Sequence, residues 1–140
     1  MKEKNLENIS EEYEISLIAD RSIDKKEHDK DIAVTKDAME MALNPAIDII
    51  IELMGGIDIP YKLITSAIKN KKHVVTANKA LIAEHGDEIF QLAEKYNVYF
   101  GFEASVAGAI PIIQTLTNNM SNENITSVTG IINGTCNYIL

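Results

Sequence analysis

Residues 48–56 read DIIIELMGG. From Asp48 to Leu53 the run is nearly continuous in β-branched side chains, and the glycine pair Gly55-Gly56 ends it. That pattern predicts a strand buried on both faces of a parallel sheet. Tyr61 to Asn70 follows with Leu63, Ile64, Ala67 and Ile68 at helical spacing. HVVT (73–76) reads as the next strand, Lys79 to Tyr96 as a longer helix, and VYFGFE (98–103) as a strand again. In the longer helix Leu81, Ile82, Ile89, Phe90, Leu92 and Ala93 are expected to face inward. Upstream, EISLIA (14–19) and Ile32–Val34 read as short strands on either side of a charged turn, Asp20 to Lys30. Lys36 to Leu43 has helical spacing, with Ala38, Met41 and Ala42 on one side, and Asn44-Pro45 stops it. Downstream, Pro111 to Met120 is expected to be helical with Pro111 near its first turn. Ile125 to Ile132 is expected to be a strand, and Thr135 to Leu140 the start of a helix. Strands alternating with helices predict βαβ units, a parallel sheet and right-handed crossovers, hence an α/β fold.

The chain has 140 residues, 46% hydrophobic and 24% charged, with a net charge of −8. This length suits one ordinary domain, or a piece of something larger, and is enough for a real core. An acidic chain without a basic stripe is a poor nucleic-acid binder. One cysteine, Cys136, permits no internal disulfide, which suits a reducing cytoplasm. It has no visible histidine or acid partner and reads as a small buried residue. No signal-peptide core opens the chain, and no apolar run is long enough for a membrane span. Charge is uneven: residues 1–40 carry 7 Lys/Arg and 12 Asp/Glu, whereas residues 101–140 carry no Lys or Arg and two acids, Glu103 and Glu123. Such a segment is either buried against another domain or subunit, or an uncharged polar surface rich in Asn, Ser and Thr.

Ligands of open parallel sheets bind beyond the carboxyl ends of the strands. Three such ends carry unusual residues: Met54-Gly55-Gly56, Thr76-Ala77-Asn78-Lys79, and the stretch Glu103 to Pro111. A glycine pair there lets backbone amides approach a ligand, and it also serves any tight turn. Lys79 opens a helix, where a cation opposes the macrodipole, so it is either aimed at an anionic or carbonyl-bearing ligand or simply solvated. Glu103 ends an apolar strand and needs partners. They are either a hard cation held by oxygen ligands in EASVAGAIP, or the amides of the next helix. At Asp20-Arg21-Ser22 an acid could accept ribose hydroxyls and an arginine could pair with a 2′-phosphate, and a charged surface turn explains the same residues. The histidines show no metal-ligand spacing. No GxGxxG can be drawn through the seven glycines, and the first 13 residues are too polar for the strand that precedes such a turn.

Four long segments, IDIIIELMGG, KHVVTANKALIAEHGDEIFQLA, FEASVAGAIPII and GIINGTCNYIL, stand in this order and together resemble homoserine dehydrogenase from about Ile15 to Leu140. The resemblance implies reduction of L-aspartate 4-semialdehyde to L-homoserine with NADPH or NADH, in the route to threonine and methionine. It implies a partial Rossmann-like parallel sheet with helices on both faces over residues 1–101, and the start of an α+β catalytic and dimerisation domain over 102–140. Met54, Gly55 and Gly56 match the family's loop against the cofactor. Thr76, Asn78 and Lys79 match its TANK segment, whose lysine lies by the nicotinamide and the substrate. Glu103, Val106, Gly108 and Ile110 match positions that hold a sodium ion. Gly134 and Thr135 match a turn contacting the amino-acid substrate, and Arg21 is similar to the arginine that favours NADPH.

The sequence also departs from the family pattern. The family's first strand and glycine-rich turn would precede Met1, and its principal catalytic lysine and substrate-binding acids would follow Leu140. The chain is therefore expected to be an internal fragment of a cytoplasmic enzyme that is dimeric or larger when intact, and to be inactive alone. Ala109 stands where glycine is usual and Cys136 where threonine is usual. Two other readings remain: a non-catalytic α/β module that binds a nucleotide or a partner chain, and a related oxidoreductase with another substrate. NGTCNYIL, on the substrate side, speaks against the latter.

Overall fold

The computed structural model describes residues 13–23, 31–108, 110–119 and 125–130. The elements run β1 (Leu17–Ala19), β2 (Ala33–Thr35), α1 (Met39–Leu43), β3 (Ile49–Glu52), α2 (Asp58–Lys69), β4 (His73–Thr76), α3 (Lys79–Tyr96), β5 (Phe100–Gly101) and α4 (Ile112–Gln114), the last continuing as a π-helical turn, Thr115–Asn119. Among the described residues every strand pair is parallel. β1 pairs with β2, and β3, β4 and β5 form a three-stranded sheet in that order. Between β3, β4 and β5 the chain therefore makes two βαβ crossovers, through α2 and α3. The expected parallel α/β architecture is present.

Register decides which side chains meet the helices. Ile50 pairs with Val74 and Glu52 with Thr76, while Val74 pairs with Phe100. These residues share one face, because side chains alternate along a strand. Ile50 and Val74 join Ala42, Leu63, Ile64, Ala67, Ile68, Leu81, Ile89 and Ala93 in one apolar core. The stripes expected on α2 and α3 are thus the ones that pack. Ile82, Phe90 and Leu92 are half-buried at the margin. Gly86 inside α3 is buried, and a methyl group there would touch Phe90 and Ile82.

β3 corrects the expectation of burial on both faces. Ile49, Ile51 and Leu53 are 38%, 62% and 74% exposed, while Ile50 and Glu52 are 1% exposed. Among the described residues α1, α2 and α3 all pack on the Ile50–Val74 face, so the alternate side chains of β3 lack a cover. A β-branched run has the same composition whether one face or both are covered.

Several ends also differ. α1 starts at Met39 rather than Lys36, because the Asp37 carboxylate accepts the Met39 amide and turns the chain there. α2 starts at Asp58, ahead of Tyr61, since Pro60 is tolerated in a first turn. β5 is only two residues long. The Tyr99 amide donates to the His73 side chain, at Nδ1, at 2.9 Å rather than to a strand carbonyl, and Glu103 already belongs to a 3-10 turn, Glu103–Ser105. Residues 125–130 form no strand, and Ile125 and Val128 are exposed. The expected helix from Thr135 lies outside the described residues.

α2 ends in a Schellman-type turn. The Lys71 amide donates to the Ile68 carbonyl and the Lys72 amide to the Ala67 carbonyl. Lys71 occupies the left-handed position at φ 59°, where glycine is preferred. Lys71→Gly is expected to stabilise the chain by about 0.5–1 kcal/mol, since relief of left-handed strain exceeds the added freedom of the unfolded chain. A raised urea midpoint checks this.

Candidate functional site

The site is built where β3 and β4 end, side by side and pointing the same way. β3 ends in Glu52, buried to 1%. One carboxylate oxygen accepts the Met54 amide at 2.6 Å and the other accepts the Thr76 hydroxyl at 2.5 Å. Thr76, at the end of β4, is fully buried and accepts the Asn78 amide at 3.0 Å. The Asn78 side chain then works in two directions. Its Oδ1 accepts the Leu81 amide at 3.1 Å and caps α3, a role asparagine fills well. Its Nδ2 donates to the carbonyls of Met54 at 3.3 Å and Gly56 at 2.7 Å. The loop after β3 and the start of α3 are therefore tied in a closed circuit of hydrogen bonds.

What this circuit presents outward is backbone and one cation. Gly55 and Gly56 are exposed, Gly56 has φ 83°, and a methyl group on either would meet nothing within 4 Å. Lys79 is exposed at the first position of α3, with no acid in that first turn. Among the described residues it makes no hydrogen bond or ion pair. A helix N-terminus, a lysine and an exposed glycine turn are elements suited to a phosphorylated or carbonyl-bearing ligand.

The structure brings together Met54, Gly55, Gly56, Thr76, Asn78 and Lys79. Arg21 lies elsewhere, exposed in the turn after β1, where one Asp20 oxygen accepts both the amide and the hydroxyl of Ser22 at 2.7 Å. In the loop after β5, Glu103 takes the second of its two sequence readings. Its carboxylate oxygens accept the amides of Ile113 and Gln114, both at 2.9 Å, and so hold the start of α4. Val106 donates its amide to the Glu103 carbonyl, Gly108 sits at φ 62°, and Ile110 is 63% exposed. Among the described residues no group of three or more His, Cys, Asp or Glu side chains could hold a metal ion. Gly134, Thr135 and Cys136 lie outside the described residues. Away from the site, the phenol of Tyr61 is pushed above its ordinary range, first by its hydrogen bond to the Glu88 carboxylate.

Sequence reasoning passed over Glu52, although a signal was present. A lone carboxylate inside a β-branched run needs partners for the reason applied to Glu103: an unpaired buried charge is costly.

Comparison with known proteins bears on what this edge serves. A family model described as "Homoserine dehydrogenase, NAD binding domain" matches residues 2–103, and one described as "Homoserine dehydrogenase" matches residues 111–140. Homoserine dehydrogenase of Pseudomonas aeruginosa is 44% identical over 142 aligned positions, covering 99% of this chain and 33% of the relative. That of Neisseria gonorrhoeae is 46% identical, covering 97% of this chain and 32% of the relative. The crystal structure of a homoserine dehydrogenase from Thiobacillus denitrificans superimposes with a TM-score of 0.81 at 43% identity, over 89% of this chain and 29% of that one. A hyperthermophilic archaeal homoserine dehydrogenase in complex with NADPH matches with a TM-score of 0.57 at 30% identity, over 64% of this chain and 28% of that one. The chain spans about a third of the length of the curated relatives it matches. With one family model matching most of it and relatives above 40% identity along nearly its whole length, the chain belongs to the homoserine dehydrogenase family.

Proposed function

We propose that this chain supplies the nicotinamide-dinucleotide edge of a homoserine dehydrogenase, which reduces L-aspartate 4-semialdehyde to L-homoserine with NADPH or NADH. The observation that carries the reading is the convergence of the loops after β3 and β4, locked through Asn78, with Gly55, Gly56 and Lys79 left facing outward. Residues 1–101 are assigned to the dinucleotide-binding part and 102–140 to the start of the catalytic and dimerisation part. The bound dinucleotide would supply the hydride.

The chain's own residues have distinct tasks. Gly55 and Gly56 leave room for close backbone approach, because no side chain stands in front of them. Asn78 holds the loop and caps α3 with one side chain. Lys79 presents an ammonium group to a carbonyl oxygen or a phosphate, and its charge would stabilise an oxygen that becomes negative. Arg21 is assigned to the 2′-phosphate that distinguishes NADPH, and Gly134 with Thr135 to the amino-acid end of the substrate. Glu103 is assigned to holding the start of α4, since its two oxygens accept the Ile113 and Gln114 amides. The exposed Ile110, Ile125 and Val128, in a segment without lysine or arginine, are assigned to contacts with the rest of the enzyme and its partner subunit.

Titration of the chain with millimolar NADPH, followed through backbone amide resonances, tests the reading. Shifts confined to residues 53–57, 76–79 and 20–22 are expected. Shifts elsewhere alone, or none, would overturn it. Lys79→Ala is expected to weaken NADPH binding by roughly threefold to fivefold, the range of one exposed ion pair, without lowering the unfolding midpoint. The chain alone is expected not to oxidise NADPH with aspartate semialdehyde.

A further inference from the structure

We propose that Glu52 is the positioning residue of this edge, setting the geometry of the glycine loop and of Lys79 without touching any ligand. The inference rests on the cofactor reading above and deepens it. With 1% exposure the carboxylate is sealed from a ligand in solution, so any effect must pass through its neighbours. Among the described residues it makes no ion pair. Donors alone hold its charge, one from each loop: the Met54 amide and the Thr76 hydroxyl.

The chemistry explains why this position needs a carboxylate. Both oxygens must accept, and a carboxylate offers acceptors at both ends. Glutamine offers one acceptor and one donor. Its Nε2 would face the Thr76 oxygen, or its Oε1 would, leaving the Met54 amide opposite an amide. In the second orientation the Met54 tie is lost; in the first, the Thr76 hydroxyl must turn from donating to accepting from Nε2, and its proton loses the carboxylate. If the Thr76 hydroxyl turns, its acceptance from Asn78 is disturbed as well. Asn78 carries the change onward to the Met54 and Gly56 carbonyls and to the Leu81 amide. Lys79 follows Asn78 directly, so the place where α3 begins is set through this path.

Amide hydrogen exchange on the full chain separates positioning from bulk stability. In Glu52→Gln the amides of Met54, Asn78 and Leu81 are expected to exchange at least about tenfold faster, while those of Ile64, Ile68 and Ala93 keep their rates. Thr76→Val, which removes the hydroxyl and keeps the shape, is expected to give the same local pattern, and it serves if Glu52→Gln does not fold. Equal acceleration at all six amides in either variant would reduce Glu52 to a stability residue and overturn the proposal, as would unchanged rates. NADPH titration on the same samples reads the other half. The variants are expected to bind about tenfold more weakly than the unaltered chain, and equal affinity would also overturn positioning. Local acceleration together with no NADPH-induced shift in the unaltered chain would leave the clamp standing and overturn the cofactor reading.

Discussion

Replacing Lys72 by methionine is expected to cost about 2–3 kcal/mol of stability, read as a lowered urea midpoint at unchanged slope. Lys72 is 5% exposed, and its ammonium donates to two carbonyls, Asn44 at 2.5 Å and Ile47 at 2.6 Å. It thereby pins the turn between α1 and β3 from the far end of α2. Methionine matches the length and apolar stem of lysine, so packing survives and what is lost is the pair of charge-assisted bonds. The two carbonyls are not equivalent. The Asn44 oxygen keeps a bond from the Ile47 amide at 3.2 Å, whereas the Ile47 oxygen has no other donor among the described residues. Stranding one buried acceptor costs about 1–3 kcal/mol. The opposing term is that methionine no longer buries a charge. An unchanged midpoint would show that this relief equals the lost bonds and would overturn the prediction.

Asn78→Ala is expected to cost about 2 kcal/mol, of which roughly half is the helix cap and half the loop tie. Asn78→Asp separates the two. Aspartate caps α3 as well as asparagine does and suits the N-terminal end of the helix dipole. It cannot donate to the Met54 and Gly56 carbonyls, and instead sets a negative oxygen against them. Aspartate is therefore expected to recover less than the cap's full contribution of about 1 kcal/mol, while NADPH binding stays as weak as in the alanine variant. Chemical denaturation and the NADPH titration check the two effects on the same proteins. Aspartate no more stable than alanine would mean that the carbonyl repulsion matches or exceeds the cap, overturning the expected recovery, and binding restored by aspartate would mean that the loop tie is irrelevant to the ligand.

The site was legible in the sequence to the extent that its chemistry is local. MGG and TANK follow strands directly, so their place at the carboxyl edge of a parallel sheet follows from chain order. The role of Asn78 as a cap is likewise a matter of three residues. Glu52 was not legible in this way, since its second partner, Thr76, lies 24 residues away. Glu103 presented two readings because one carboxylate can hold a cation or cap a helix, and only the position of α4, ten and eleven residues on, places it on amides. The expected strand at 125–132 failed over its described part because alternation in sequence supplies no neighbour to pair with.

By itself, then, the sequence determined the order of strands and helices, the parallel class, the stripes of α2 and α3, and the residue types where β3 and β4 end. These depend on periodicity, on turn chemistry and on neighbours within one helical turn. The tertiary structure alone decided that β3 buries one face, that Glu52 and Lys72 are enclosed by donors and acceptors rather than ion-paired, and that Glu103 caps a helix. Burial and partnership arise when segments distant in sequence pack together, and a run such as DIIIEL has the same residues whichever of its faces is covered.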